Sequence, residues 1–277
     1  MRAGFLRGLD DRALPALMGF LERALRHRVF FAWLGGGLVL VLVGTALAST
    51  QQSHDDGKPV ARSVTKVGPI EGTPIPGYIT ATQRELAGLT KAGTKPVYAL
   101  VSLAGYGTPA QVAKVSDGYT VSKAYFRVPL IGVQTEIQSA EVVSLRKDLE
   151  ASMRSAAARA ERDAKAAEAQ AARLTGSSVK EEQLRAFYVE STWLSRVQAG
   201  QYRSLCACVY AFVVKATPQD LTSLARRTGI RAIDAAPEIS ALDRAVFLPL
   251  LPEQTVTVQP PRDSGLPSLP TPSAGPS

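Results

Sequence analysis

Val97-Tyr98-Ala99-Leu100-Val101 and Val209-Tyr210-Ala211-Phe212-Val213 decide how this chain is read. Both are rich in β-branched and aromatic residues and apolar at odd and even positions alike, the pattern of central strands buried on both faces. Each leads into a Thr-Pro pair, Thr108-Pro109 and Thr217-Pro218. A threonine hydroxyl there accepts from the first helical amides and proline tolerates the N1 position, so short helices are expected near 109–116 and 218–228. Strands are expected near 119–128, 230–235 and 244–250. Each copy then ends on a Pro-Leu followed at the same spacing by Gln-Thr: Pro129, Leu130, Gln134 and Thr135, then Pro249, Leu250, Gln254 and Thr255. The offset between copies drifts from 112 to 109 to 120 residues, which demands insertions. Three features in one order still identify a diverged internal repeat. The expected fold class is therefore α+β. Two β-α-β half-repeats, over 78–137 and 204–251, pair in a ferredoxin-like arrangement as a four- or five-stranded sheet with helices on one face.

An element of different composition interrupts the halves at 138–203. From Ser139 to Thr175 there is no Pro or Gly, and 11 of the 22 residues 151–172 are alanine, set among Arg, Lys, Glu and Asp. This is strong helix material. Leu149, Met153, Ala156, Ala160, Ala164, Ala167, Ala171 and Leu174 step by three or four, the spacing of a narrow apolar seam. Gly176 supplies a stop, and Ser178-Val179-Lys180-Glu181 is a capping box opening a second helix from Val179 to about Gln198. Leu184, Phe187, Tyr188, Ser191 and Leu194 continue a seam there. The short turn makes the pair an antiparallel helical hairpin or coiled coil, either projecting to meet partners or folded back over the sheet.

The two ends differ from this body. Val29 to Ala48 is an uncharged run of 20 residues, and a helix of that length, at about 1.5 Å per residue, spans the roughly 30 Å hydrocarbon core of a bilayer. Six arginines against three acids precede it in the basic leader 1–28, which places the N-terminus in the cytoplasm and the rest outside. Residues 29–48 thus read as a single transmembrane signal-anchor in the plasma membrane; cleavage after Ala48 would instead release a secreted body. Residues 49–77, with Pro59, Pro69, Pro74 and Pro76, read as a flexible linker. Residues 252–277, with seven prolines, read as a disordered Pro/Ser-rich tail.

Chemistry is scarce. The chain of 277 residues has 2 histidines, His27 and His54, so everything beyond residue 54 lacks an imidazole for a triad, a shuttle or a His-ligated metal. No nucleophile motif frames Ser102 with Lys114, and none frames Asp117 with Glu136. No glycine loop has nucleotide-binding spacing. Cys206-Ala207-Cys208 enters the second VYA strand and has three readings: a pair of small buried apolar residues, a disulfide or thiol redox pair, or a soft-metal clasp. On an extended strand the two α-carbons would stand about 6.6 Å apart, near the limit for a bridge. The 229 residues after Ala48 carry 26 basic and 21 acidic residues with signs interleaved, which gives no support for nucleic-acid binding.

No catalytic, cofactor or metal residues are assigned. The leading expectation is a non-enzymatic, single-pass protein of a bacterial cell envelope whose extracytoplasmic body contacts another protein, or another copy, through the hairpin. An exported sensory or ligand-binding domain acting through a membrane partner, and a secreted thiol protein using Cys206 and Cys208, are the alternatives.

Overall fold

The computed structural model of the chain describes residues 64–93 and 95–260. The leader, the apolar run 29–48, both histidines and the end of the tail lie outside them. Among the described residues no helix is long and apolar enough to cross a membrane.

The architecture is α+β. The two VYA runs form β2 (Val97–Gly107) and β5 (Val209–Ala216), which pair antiparallel from Val97 opposite Ala216 to Ser102 opposite Ala211. Each Thr-Pro pair starts a helix: α2 (Pro109–Val115), where Thr108 and Gln111 cap reciprocally, and α5 (Pro218–Ala225), where Thr217 accepts from the Asp220 amide at 3.2 Å. Each helix returns into a strand, β3 (Val121–Phe126) or β6 (Ile230–Ala236). With β4 (Gln138–Glu141) at one edge, the five-stranded order is β4-β3-β5-β2-β6. The halves interleave: β5 of the second lies between β2 and β3 of the first, and β2 lies between β5 and β6. Every neighbouring pair is antiparallel.

The sheet is buried on both faces, as the unbroken apolar runs require. One face packs Ala99, Val101, Phe126, Phe212 and Val214 against the helices. The other carries Leu100, Tyr125, Tyr210 and Val213 and is covered by the chain ends. β1 (Thr65–Val67) pairs in parallel with β7 (Ala245–Phe247), forming a two-stranded sheet of its own. The strand expected at 244–250 is therefore shorter and lies outside the main sheet.

The expected linker and tail also need correction. Structure begins before Gly77, with β1 and with α1 (Ile75–Ala92), a helix absent from the sequence reading. Residues 252–260 of the expected tail run beside residues 72–75: Ile75 donates to Val256 O at 3.0 Å and Gly72 to Val258 O at 2.9 Å. Pro74 and Thr257 form an isolated bridge. Prolines there do not prevent packing, because these segments are strapped by scattered bonds rather than by a full ladder.

The hairpin boundary moves as well. Residues 138–143 are not helical, because burial alternates there: Ala140 and Val142 inside, Glu141 and Val143 outside. That is strand periodicity, and β4 accordingly pairs with β3. The first hairpin helix is α3 (Leu145–Arg173), 29 residues rather than 37, and the second is α4 (Val179–Arg203), which runs five residues past Gln198. Asp148 receives the Val143 and Ser144 amides at 2.8 and 2.6 Å, which holds its carboxyl below the usual carboxylate range.

Gly68 has φ +111°, and a methyl group added there would overlap the Leu248 carbonyl, so Gly68→Ala should lose about 2–4 kcal/mol in urea unfolding. Gly72→Ala, at φ +85° with open space around it, should lose about 1 kcal/mol. Asp234 on β6 accepts from Tyr78 of α1 at 2.8 Å, and burial raises its carboxyl above the ordinary 3.8. The folded state then holds this proton more tightly than the unfolded one, so Asp234 takes stability away as pH rises from that ordinary value through the raised one. Asp234→Asn keeps the acceptor and should flatten the fall in stability across this acid range, read by denaturant midpoints at stepped pH.

Candidate functional site

Three features carry chemistry or contact: the hairpin surface, the cysteine pair and a buried arginine.

The first half of α3 belongs to the core, where Leu149, Met153, Ala156 and Ala157 pack onto the sheet. Its second half packs along α4. Ala164 is buried there, Ala160, Ala167 and Ala171 are half-buried, and the small side chains let the partner helix approach. Arg196 pairs with Glu168 at 2.8 Å and Arg203 with Glu161 across the two helices. At the turn, Arg185 donates to the carbonyls of Leu174 at 2.9 Å and Gly176 at 2.6 Å, which satisfies acceptors that the end of α3 leaves open. Ser178 caps α4 by accepting from the Glu181 amide at 3.3 Å. The other arm of the expected capping box differs: the Glu181 carboxylate accepts from the Ser178 hydroxyl. The expected α4 seam is only half realised. Tyr188, Ser191 and Leu194 are half-buried, but Leu184 and Phe187 are 39% and 57% exposed, and Val179 and Val189 are exposed with them.

Cys206 and Cys208 are joined in a disulfide with α-carbons 5.3 Å apart. The extended spacing assumed from sequence does not apply, because β5 starts only at Val209 and the pair sits in the turn leaving α4. Tyr210 joins the cluster on the face opposite Cys208 and Phe212. Between Tyr125 and Phe126 of β3 the register slips by one residue on β5, a bulge that re-aims it. The other sequence candidates separate: Ser102 is fully buried in β2 while Lys114 is exposed on α2. Among the described residues no group of three or more His, Cys, Asp or Glu side chains is placed to hold a metal ion.

The feature missed in the sequence is Arg127, 2% exposed. Its amide donates to Cys208 O at 3.0 Å, extending β3 by one step, and the chain then wraps its guanidinium. Nε donates to Thr135 Oγ1 at 3.1 Å and Nη2 to Val133 O at 3.4 Å, while Thr135 donates onward to Val128 O. Nη1 lies 3.4 Å from Glu253 Oε1, within ion-pair range but outside hydrogen-bond geometry. Tyr106 donates to Glu253 Oε2 at 2.9 Å. Burial first, and then that bond, push the Tyr106 hydroxyl above the ordinary tyrosine range, so it stays a donor. Arg127, Tyr106, Glu253 and residues 129–133 line a pocket of about 320 Å³.

The matching segment of the second half also closes on an arginine. Arg231 donates to the carbonyls of Leu251 at 3.1 Å, Pro252 at 3.4 Å and Gln254. The repeated Pro-Leu and Gln-Thr segments are thus arginine wraps. The available signal was Ala124-Tyr125-Phe126-Arg127-Val128-Pro129-Leu130, a single charge inside an apolar strand end.

No family model, curated protein or solved structure matches the chain.

Titrating the native protein with Ellman's reagent before reduction should give no reactive thiol, and after reduction two. The Cys206→Ser, Cys208→Ser double variant should lose about 1–2 kcal/mol in denaturant unfolding, because the closed loop is very short.

Proposed function

We propose that the chain is a non-enzymatic, single-pass protein of a bacterial cell envelope, anchored in the cytoplasmic membrane by residues 29–48, whose extracytoplasmic body docks to a second copy of itself through the α3–α4 hairpin. The observation that carries this reading is that, among the described residues, Leu184 and Phe187 stand exposed on α4 near the hairpin turn. A two-helix arm leaves apolar surface open to water, and a second arm laid against it completes a four-helix bundle. The charges favour a like partner. Residues 145–203 carry 11 basic and 8 acidic side chains with signs interleaved, so an antiparallel copy can place opposite charges together.

The Cys206–Cys208 bridge supports an extracytoplasmic body, since disulfides persist in oxidising compartments. The interleaved strand order likewise supports a ferredoxin-like sheet as the platform for the arm.

In membranes containing the full chain, a photo-crosslinking residue at position 187 should yield a covalent dimer. Leu184→Ser with Phe187→Ser should abolish dimer formation without shifting the unfolding midpoint by more than about 0.5 kcal/mol. A monomer at every membrane density would overturn the reading. Proteolysis of intact cells that leaves the region beyond Ala48 untouched would overturn the topology.

A further inference from the structure

We propose that the pocket beneath Arg127 is a binding site for a ligand carboxylate attached to a small apolar group, which takes the place now occupied by the Glu253 side chain.

The guanidinium has three sides. Thr135 and Val133 take two of them, and the third, Nη1, lies 3.4 Å from Glu253 Oε1, with Arg127 and Glu253 both lining the pocket. A buried arginine needs its charge matched and its N–H groups directed at acceptors. Glu253 matches the charge only in part. Its side chain is 47% exposed, and its nearer oxygen stands 3.4 Å from Nη1 without a directed hydrogen bond.

The other Glu253 oxygen accepts from Tyr106. One carboxylate oxygen thus stands beside the Arg127 charge while the other accepts from the Tyr106 hydroxyl. Around this polar end the walls are Pro129, Leu130, Ile131 and Val133. A small volume, apolar walls and a few convergent donors are the composition of a ligand site.

The backbone beside Glu253 is held by Arg231 through main-chain carbonyls, independently of the Glu253 side chain. That side chain can turn out to water while the pocket stays built. A ligand carboxylate entering from the pocket then takes the Nη1 hydrogen bond that Glu253 does not make, together with the Tyr106 hydroxyl. Two donors suit a planar monoanion better than a phosphate, which needs more. This inference stands apart from the hairpin reading, because no hairpin residue lines the pocket.

The test is equilibrium dialysis of the full chain in detergent against 3-methylbutanoate, its neutral amide, N-acetyl-Gly-Val as free acid and as C-terminal amide, and inorganic phosphate. Saturable binding of an acid is expected, with its amide at least about tenfold weaker. Binding of 3-methylbutanoate alone makes a free small acid the source; binding of the peptide acid makes a chain terminus the source, and either supports the site. Arg127→Met should abolish binding and Tyr106→Phe should weaken it. Glu253→Gln alters a half-exposed side chain, removes the competing charge, and should tighten binding about three- to tenfold. Absence of acid binding by Glu253→Gln, equal binding of acid and amide, preference for phosphate, or unchanged binding by a folded Arg127→Met would each overturn the proposal.

Discussion

Everything in this fold follows from the antiparallel pairing of β2 with β5 at the centre of the sheet. Both strands are apolar on both faces, so neither face can be left in water, and two separate covers are needed. The helices of the half-repeats cover one face, helped by the first half of α3. The other is covered by β1 and by the end of the second half, from β7 to residue 260, which meet each other in parallel and by scattered bonds. Proline-rich composition at both ends looks like tether and tail, yet the demand of the sheet face overrides it.

The same demand explains the arginine wraps. Segments brought over a sheet without a ladder of their own leave carbonyls with no strand partner. Arg231 fills that need on one side by gathering three carbonyls, and Arg127 fills it on the other with Val133 and Thr135. A long, planar, multi-donor side chain suits this role where lysine, a point charge, would not. The motif shared by the two halves is thus a record of packing. Its first copy leaves one buried guanidinium nitrogen without a hydrogen bond beside a pocket.

Features governed by local physics were legible in the sequence. Thr108 and Thr217 mark helix starts because capping depends on residues three apart. The alanine seam marks α3 because its period is local, and strand runs flanking it give the α+β class. Features governed by distant contacts were not. The end of β4 against the start of α3 depends on pairing with β3, and α1 on packing against β6. The turn of Tyr210 to the second face depends on a one-residue bulge. Arg127 was visible as an isolated charge, but its partner Glu253 lies 126 residues away in a segment whose composition argued against order. The cysteine pair shows the same limit: strand spacing argued against a bridge, and only the turn geometry admits it.

That turn bears on what the hairpin can do. Helix α4 ends with Leu205 at φ 54°, a left-handed conformation usually left to glycine. The Leu205 amide bonds Tyr202 O and the Cys206 amide bonds Gln201 O, both at 3.1 Å, so the carbonyls of the last turn are satisfied while the chain reverses. A leucine in this conformation costs about 1 kcal/mol. Its side chain packs against the helix-side core, a contact that glycine could not make. With the disulfide following at once, the passage from arm to sheet has little freedom left. A contact arm on a flexible joint would lose orientation entropy on every encounter, whereas one fixed at its root meets a partner already aimed. In the docking proposed above, the backbone at Leu205 is part of what aims the hairpin.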